Sequence, residues 1–266
     1  MPEHRLYFED SQAILTPFIM VKNALRRLVL VFRGIVLFRD WPTWLFARFG
    51  LLHRSGIGTF RMRDGTIFVL DYSHNNVGTF QEVWLMDLYQ KYRRIRPGDI
   101  VVDIGASIGA FSVLAAKRGA RVYAYEPTPR SFKLLIRNIP ESNVAAYELA
   151  VADKIGYAEF FETGGDEGNS LISVPGAISS FRVATTTLSS IIEQVGHCNF
   201  LKMDCEGGEL AILENVTEET FKKIDYIAME YHQNLPRVET ILKDHGFQVR
   251  AEGKDYGYVY ALRENL

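Results

Sequence analysis

The chain has 266 residues, of which 47% are hydrophobic, 12% aromatic and 23% charged, and its formal net charge is -2. These values exclude a disordered chain, and the near-neutral charge gives no electrostatic attraction to nucleic acid, which we do not expect as a partner. The two cysteines, Cys198 and Cys205, form neither a CxxC pair nor a metal-ligand cluster. They suit a reducing compartment, so we predict a cytoplasmic protein.

Residues 1–56 predict an apolar helical extension ahead of the main domain, which we place at 57–266. The most apolar part, Leu28 to Phe38, is shorter than the roughly 20 residues that a membrane-spanning helix needs, and Arg33 lies in its middle. We therefore predict no transmembrane segment. A buried helix is one interpretation of this part. A peripheral membrane contact through residues 28–38, favoured by the arginines around it, is the other.

Two further elements precede the main sheet. Alternating apolar residues between Gly58 and Asp71, on either side of Asp64-Gly65, predict a β-hairpin. Apolar residues at helical spacing then predict a helix over 79–94, with Thr79 and Glu82 forming a capping box at its start. Glu82 could also reach a cofactor.

From residue 100 onward, strands and helices alternate. Repeated β-α-β units predict a parallel sheet with helices on both faces. The last two strands are too close in sequence for a parallel crossover, so we predict that the final strand is antiparallel. Gly164 to Ser170 predict a flexible loop that could act as a lid. The predicted strands are 100–104, 121–125, 144–151, 157–162, 200–203, 226–230, 247–251 and 257–262, and the predicted helices are 111–118, 129–139, 188–195, 209–215 and 237–245.

The strongest local motif is a glycine-rich turn between a buried strand and a helix, within residues 101–111 (VVDIGASIGAF). Gly105 would let the backbone turn and approach a ligand, and Gly109 would let the helix start pack against the strand. The G-x-x-x-G spacing lacks the third glycine of a dinucleotide fingerprint, and no GK[ST] of a P-loop follows. The motif predicts a ligand-binding turn, with a turn that binds nothing as the alternative.

An acidic residue follows the next strand at the expected distance. Glu126, in the sequence Tyr-Glu-Pro127, lies about 20 residues after the turn, where a carboxylate can accept hydrogen bonds from both hydroxyls of a ribose. The same charge would repel a ribose 2′-phosphate. A solvated acid at a strand end is the alternative.

These motifs together resemble a known family. Asp103-Ile-Gly-Ala-x-x-Gly-x-Phe followed by Glu126-Pro127 resembles class I S-adenosylmethionine-dependent methyltransferases, and more narrowly the FkbM family of O-methyltransferases. The similarity continues through residues 148–153 (ELAVAD), 201–210 (LKMDCEGGEL) and 228–232 (AMEYH), and it covers roughly 57–262. The Lys-x-Asp-x-Glu-Gly-x-Glu block is its most diagnostic part. The resemblance implies an α/β fold with a Rossmann-like methyltransferase sheet, mostly parallel with an antiparallel C-terminal strand.

The resemblance also implies a set of cofactor-binding residues for S-adenosylmethionine. Asp103 would orient the turn and the amino-acid end of the cofactor, Glu126 would hold the ribose, and the loop after Ala150-Val151 would lie near the adenine. The complete set is Glu82, Asp103, Gly105, Ala106, Ser107, Gly109, Glu126, Pro127, Ala150, Val151, Asp153, Asp204 and Glu206.

Two residues are candidates for catalysis. Methyl transfer to a hydroxyl requires removal of its proton, and His232, which follows a strand end, has an ordinary pKa of about 6.5 that suits a general base. Asp204 is the second candidate, and a structural role is the alternative for His232. Mg²⁺ could bind Asp204, Glu206, Glu230 and His232, because it prefers oxygen ligands. Nothing in the sequence requires a metal, and we predict none.

The predicted function is methyl transfer from S-adenosylmethionine to a hydroxyl of a sugar, glycolipid or natural product. One alternative is an NAD-dependent oxidoreductase on a Rossmann sheet, against which the turn spacing and the acid-rich segment after residue 203 argue. The other is a non-catalytic cofactor-binding module, which a fold alone does not exclude. The sequence predicts no oligomeric state.

Overall fold

The computed structural model describes residues 28–51, 55–73, 76–140, 142–162, 179–253 and 256–264. The predicted loop over 164–170 lies outside the described residues, as do residues 1–27 of the predicted helical extension. Within the described ranges, no helix has both the length and the apolar character needed to cross a lipid bilayer.

Strands and helices alternate along most of the described chain. Residues 28–37 are helical, and the labelled helices are α1 (Trp41–Arg48), α2 (Asn76–Phe80), α3 (Ala110–Lys117), α4 (Pro129–Asn138), α5 (Leu188–Val195), α6 (Glu209–Glu214), α7 (Glu218–Phe221) and α8 (Leu235–Asp244). The strands are β1 (Ile57–Arg61), β2 (Ile67–Asp71), β3 (Ile100–Ile104), β4 (Arg121–Tyr125), β5 (Val144–Tyr147), β6 (Ala150–Val151), β7 (Gly156–Glu162), β8 (Ser179–Thr186), β9 (Phe200–Met203), β10 (Tyr226–Tyr231), β11 (Phe247–Gly253) and β12 (Gly257–Arg263).

The main sheet has seven strands in the order β11-β12-β10-β9-β3-β4-β5. Strands β9, β3, β4, β5 and β10 run parallel, whereas β12 is antiparallel to both β10 and β11. This topology confirms the predicted methyltransferase-type sheet with its antiparallel C-terminal strand. The chain adds β4 and β5 on one side of β3 and then places β9 and β10 on the other. The crevice at such a switch point is where open α/β sheets bind ligands.

Helices cover both faces of this sheet because its central strands are buried on both faces. On β3, Val101 packs into an apolar cluster with residues of α3 and α4, and Val102 and Ile104 pack into a second cluster with residues of α5 and α8. The continuous β-branched run of β3 is therefore explained by two apolar layers. Both layers hold the carboxyl end of β3 rigidly at the switch point.

The described part of the N-terminal region joins the first of these clusters. Phe38 and Trp44 are almost fully buried there, and the Phe38 ring lies 5.2 Å from that of Phe60 on β1. Phe60 in turn stacks on Phe80 of α2 at 4.7 Å. The predicted hairpin is confirmed, with Asp64 accepting a hydrogen bond from the Thr66 amide in its turn. The division into parts at 56/57 stays a prediction.

The predicted helix over 79–94 was wrong at both ends. The helix begins at Asn76, so Thr79 lies inside it and is not a capping residue. It continues as a π-helical segment, Gln81–Met86, and ends where Asp87 adopts a left-handed conformation with φ 54°. A short 3₁₀ turn, Leu88–Gln90, follows. The apolar spacing carried no information on where the backbone leaves the helix.

The predicted strand over 144–151 was also wrong as a single element. Strand β5 belongs to the main sheet, whereas β6 pairs with β8 in a separate three-stranded sheet of order β6-β8-β7. The sequence analysis did not predict β8. Strand pairing over this distance depends on tertiary contacts, because the two paired segments lie more than 30 residues apart, as in Ala150 with Thr185.

Candidate active site

A cavity of about 410 Å³ opens at the carboxyl ends of β3, β4, β9 and β10. This volume lies within the range of small-molecule sites. The topology gathers residues from distant parts of the chain around it, as the sequence analysis expected for most of the set. The predicted residues that line it are Glu82, Gly105, Ala106, Ser107, Glu126, Pro127, Ala150, Val151, Asp204, Glu206 and His232. The structure does not place Asp103, Gly109 and Asp153 on the cavity lining.

The glycine-rich turn packs directly against the end of β9. The amides of Gly105 and Ala106 both donate to the Tyr125 carbonyl at 3.0 Å. Gly105 has φ 72°, and a Cβ at this position would overlap the carbonyl oxygen of Asp204. Only glycine meets both conditions, so this residue sets how closely the turn and the acidic segment after β9 approach each other.

The second glycine of the motif serves helix packing. Gly109 has φ 86°, and a Cβ there would lie 2.7 Å from Cδ1 of Leu135 on α4. Gly109 therefore lets the start of α3 approach α4, behind the cavity. The predicted packing of the helix start against the strand was therefore wrong in its partner, because the neighbour at Gly109 is the helix α4.

Glu126 bridges the turn and the segment after β4. Its Oε2 accepts from the Ser107 amide and its Oε1 from the Thr128 amide, both at 2.8 Å. Burial raises the pKa of Glu126, although the two amides favour its charged form. Each carboxylate oxygen keeps a further lone pair for a ligand. The geometry therefore suits an acceptor of two vicinal hydroxyls.

A buried ion pair between Asp103 and Lys202 fixes the glycine-rich turn after β3. Asp103 is fully buried, accepts from the Ser112 hydroxyl at 2.6 Å and lies 3.3 Å from Nζ of Lys202, its partner in the β3–β9 register. Lys202 also donates to the Gly105 carbonyl at 2.6 Å. Burial lowers the pKa of Lys202, but the charges of Asp103 and Asp204 outweigh it and raise that pKa above its usual value. Asp103 thus orients the turn, as expected, through Lys202.

The sequence analysis gave Lys202 no role of its own. The signal was available, because a lysine in the otherwise apolar strand β9 (FLKM) needs a counter-charge when it is buried. The identity of that counter-charge was not readable from local sequence. Only the register of β3 and β9 brings Asp103 and Lys202 together.

Asp204 lines the cavity, with one carboxylate oxygen hydrogen-bonded and the other buried without a partner among the described residues. The Tyr89 hydroxyl donates to Oδ2 at 2.9 Å. Oδ1 is buried and has no hydrogen-bond partner among the described residues. A buried acceptor without a partner is costly unless a ligand or water satisfies it. No feature of the sequence pointed to Tyr89, which follows the unexpected left-handed residue at position 87.

His232 lies between two carboxylates, one in the loop that follows β9 and one on the first residue of α6. Its Nε2 is 3.2 Å from Oε2 of Glu206, and its Nδ1 is 3.3 Å from Oε1 of Glu209. Glu209 is buried and accepts from the Cys205 amide at 2.9 Å, which folds the loop back on itself. Burial lowers the pKa of His232, but the two carboxylates raise it to about 11. In this arrangement the imidazole is charged at neutral pH and is not a proton acceptor.

Glu230 shares the same cavity wall. Burial and the neighbouring charge of Asp204 raise the pKa of Glu230 to about 7, and the Tyr258 hydroxyl donates to its Oε2 at 3.4 Å. The sequence analysis named Glu230 only as a possible Mg²⁺ ligand. A carboxylate with a pKa near neutrality is suited to accept and release a proton.

A metal ion has one candidate site in the described part of the chain. Asp204, Glu206 and His232 each offer a ligand atom, and these atoms lie within 4.8 Å of one another. A histidine ligand must be deprotonated to bind a metal. Here the proton on His232 already offsets the charge of Glu206, so the group fits an ion pair better than a metal centre.

Comparisons with known proteins point to one family. Residues 103–260 match the family model of the Methyltransferase FkbM domain. The chain is 27% identical over 224 residues to the 31-O-demethyl-FK506 methyltransferase FkbM of Streptomyces tacrolimicus, a match that covers 68% of this chain and 86% of that protein. It is 32% identical over 85 residues to a tRNA (guanine(37)-N(1))-methyltransferase of Aedes aegypti, covering 30% of this chain and 14% of that protein. Precorrin-6y C5,15-methyltransferase from Geobacter metallireducens GS-15 is a similar solved structure, with 15% identity, a TM-score of 0.44 and 69% and 89% of the two chains covered.

The close approach at Gly105 is testable against a matched glycine. Gly105→Ala and Gly98→Ala both place a side chain at a left-handed φ, but a Cβ added at Gly98 would meet nothing within 4 Å. We expect Gly98→Ala to lower the free energy of unfolding by about 1–2 kcal/mol and Gly105→Ala by clearly more, through overlap with the Asp204 carbonyl. Urea unfolding measures both. If the two variants lower the free energy of unfolding by amounts that agree within about 0.5 kcal/mol, the close approach of residue 105 to the Asp204 carbonyl would be contradicted.

The charge on His232 predicts a dependence of stability on pH. In the folded protein the pKa of His232 is about 11, above its ordinary value of 6.5. The contribution of its charge to the free energy of unfolding is therefore complete below pH 6.5 and is lost as the pH rises through 11. The difference in free energy of unfolding between the unsubstituted protein and His232→Gln should therefore narrow steadily from pH 7 towards pH 11. His197→Gln, outside the cavity, is the control. A gap that stays constant would show that the imidazole is neutral.

Proposed function

The chain belongs to the FkbM family of S-adenosylmethionine-dependent methyltransferases, and from this premise we propose that it methylates a hydroxyl of a sugar, glycolipid or natural product. The observation that carries the proposal is the acidic cavity wall, where Asp204 keeps one buried oxygen without a partner beside the glycine-rich turn. Carboxylates accept hydrogen bonds and protons from hydroxyls, and they favour a cationic methyl donor. The relative whose name specifies an O-demethyl substrate supports the same choice of acceptor atom.

The cavity residues fit S-adenosylmethionine, which supplies an electrophilic methyl group on a sulfonium. We propose that Glu126 accepts hydrogen bonds from the ribose hydroxyls, because both its oxygens are fixed in position by backbone amides. Ala150 and Val151 offer an apolar surface for the adenine. The amides and small side chains of the turn over residues 105–107 would border the remaining part of the cofactor. Asp153 is exposed and lies off the cavity lining, so we assign it no contact.

We propose that the acceptor proton passes to the carboxylate pair of Asp204 and Glu230. Asp204 has the free oxygen, and Glu230 has a pKa near 7 because it is buried beside that charge. Two carboxylates that influence each other titrate as a pair, so one proton can be taken up by both. Tyr89 holds Asp204 in place, and alignment of oxygen, carbon and sulfur supplies much of the acceleration.

His232 then has a different role from the one expected from its ordinary pKa. We propose that it is a positioning residue whose proton balances Glu206 and Glu209 and fixes the loop that carries Asp204. For the same reason the reaction needs no Mg²⁺, because the imidazolium supplies the positive charge at this point. The free cysteines, one buried and one half-buried, are consistent with the cytoplasmic location that we propose.

The alternatives differ in what they bind. A nucleic-acid acceptor is disfavoured because the described cavity lining holds five acidic residues against Lys202 and His232, and a phosphodiester backbone would be repelled. An NAD-dependent oxidoreductase requires binding of NAD⁺ at the turn. A non-catalytic module would bind the cofactor without turnover. Calorimetric titration distinguishes the two cofactors, and a turnover assay distinguishes an enzyme from a non-catalytic module.

Calorimetric titration tests the cofactor. We expect S-adenosylmethionine to bind and NAD⁺ to give no heat. Glu126→Gln should weaken the binding of S-adenosylmethionine by about 10- to 100-fold, because hydrogen bonds to a charged group are lost. Glu193→Gln, an exposed acid on α5, is the matched control and should leave the affinity unchanged. Binding of NAD⁺ in place of S-adenosylmethionine would overturn the proposal.

A turnover assay tests the carboxylate pair. It measures the release of S-adenosylhomocysteine with a series of sugars and glycolipids as candidate acceptors. Asp204→Asn should lower kcat by about 10²- to 10⁴-fold. The rate of the unsubstituted enzyme should rise with pH through about 7, because the pair accepts a proton only when Glu230 is ionised, and Glu230→Gln should remove that step. EDTA should not change the rate. A pH profile that is the same in Glu230→Gln, or activity restored only by Mg²⁺, would contradict these assignments.

A further inference from the structure

The helical segment over 28–37 presents an apolar face to solvent. Leu28, Phe32 and Val36 are spaced four residues apart, so they lie on one side of the helix, and Val29 borders them. These four side chains, here called the docking face, are 66%, 67%, 52% and 49% exposed in the order Leu28, Phe32, Val36 and Val29. A row of large exposed apolar side chains on one helix face marks an interaction site more often than a neutral surface.

The rest of the helix is fixed to the body of the protein. Gly34 lies against the Trp44 ring so closely that a Cβ there would overlap it, and Phe38 at the end of the segment is fully buried. The Arg63 side chain donates to the Ile35 carbonyl at 2.8 Å. The docking face is therefore held in a constant orientation, outward from the apolar cluster that contains Phe38.

The charge of the surrounding residues indicates the chemistry of a partner for the docking face. Residues 1–63 contain ten Lys and Arg but four Asp and Glu, a net charge of +6, whereas residues 64–266 carry a net charge of -8. Arg33, Arg39 and Arg63 are exposed around the helix, and Asp40, the acid nearest to it in the described sequence, is paired with Arg61. An apolar helix face surrounded by arginines is the pattern of a helix that lies in the interface of an anionic membrane.

We propose that residues 28–37 dock the protein on an anionic phospholipid surface, with Leu28, Phe32 and Val36 entering the headgroup and acyl boundary. The described part of this helix, residues 28–37, is shorter than a membrane-spanning helix and carries Arg33 in its middle, so we place it on the surface of the bilayer. The arginines around it contact lipid phosphates.

Docking would bring a wall of the cavity near the membrane. Phe38 contacts Phe60, which stacks on Phe80 of α2, and Arg48 of α1 contacts Gln81 next to it. The same stretch of chain supplies Thr79 and Glu82 to the cavity lining. This part of the inference rests on the proposed function, and it favours a glycolipid among the three classes of acceptor. The membrane contact itself does not depend on catalysis.

Co-sedimentation of the full chain with lipid vesicles tests the contact without cofactor or acceptor. We expect binding to vesicles of phosphatidylcholine mixed with phosphatidylglycerol, at least about tenfold weaker binding to phosphatidylcholine alone, and weakening by salt. Phe32→Asp should lower binding to the mixed vesicles by more than about tenfold. Arg33→Glu should lower binding to the mixed vesicles only.

Ile155→Asp is the matched control, because Ile155 is 68% exposed and precedes β7, far along the chain from the docking face. All variants should keep the thermal unfolding midpoint of the unsubstituted protein. Absence of binding to either vesicle, or equal loss in Ile155→Asp, would overturn the proposal. A dimer that Phe32→Asp converts to a monomer, without vesicle binding, would assign the face to a second copy instead. Cofactor titration remains an independent test of the proposed function.

Discussion

The buried ion pair between Asp103 and Lys202 is the constraint on which the site depends. Either charge alone would be costly in the interior of the sheet, so β3 and β9 must adopt the register that pairs them. Once placed, the ammonium also holds the carbonyls of Ile104 and Gly105, which fixes the turn after β3. The turn then packs on the Asp204 carbonyl, and the positions of Glu126 and Asp204 follow from it.

The acids that follow β9 and Glu230 on β10 are arranged so that their charges have separate uses. Glu209 at the start of α6 accepts hydrogen bonds from backbone amides of the preceding loop, and the His232 imidazolium lies between Glu209 and Glu206. The remaining carboxylates, Asp204 and Glu230, face the cavity, where their proximity raises the pKa of Glu230 to about 7. Neutralisation of part of the cluster within the protein thus leaves the other part for the cationic cofactor and the acceptor hydroxyl that we propose.

The N-terminal region and the site are connected through aromatic packing. Phe38, Phe60 and Phe80 form a continuous contact from the helical segment to the element that contributes Glu82 to the cavity. The charge is also divided along the sequence, with a net charge of +6 over residues 1–63 and -8 over residues 64–266. The lipid surface and the hydroxyl acceptor that we propose would therefore meet different parts of the molecule, the first basic and apolar and the second acidic.

The sequence by itself determined the features that are local. Periodicity predicted most strands and helices from β3 onward, although it missed β8 and α7 and joined β5 to β6, and the close spacing of the last two strands predicted the antiparallel edge. The glycine turn and Glu126 followed from short motifs, because strand–turn–helix geometry involves neighbouring residues. Tertiary structure alone decided the start of α2, the pairing of β6 with β8, the partner of Lys202 and the charge of His232. Each of these depends on groups far apart in sequence, as the pKa of His232 does on Glu206 and Glu209, and electrostatic energy is set by distance in space.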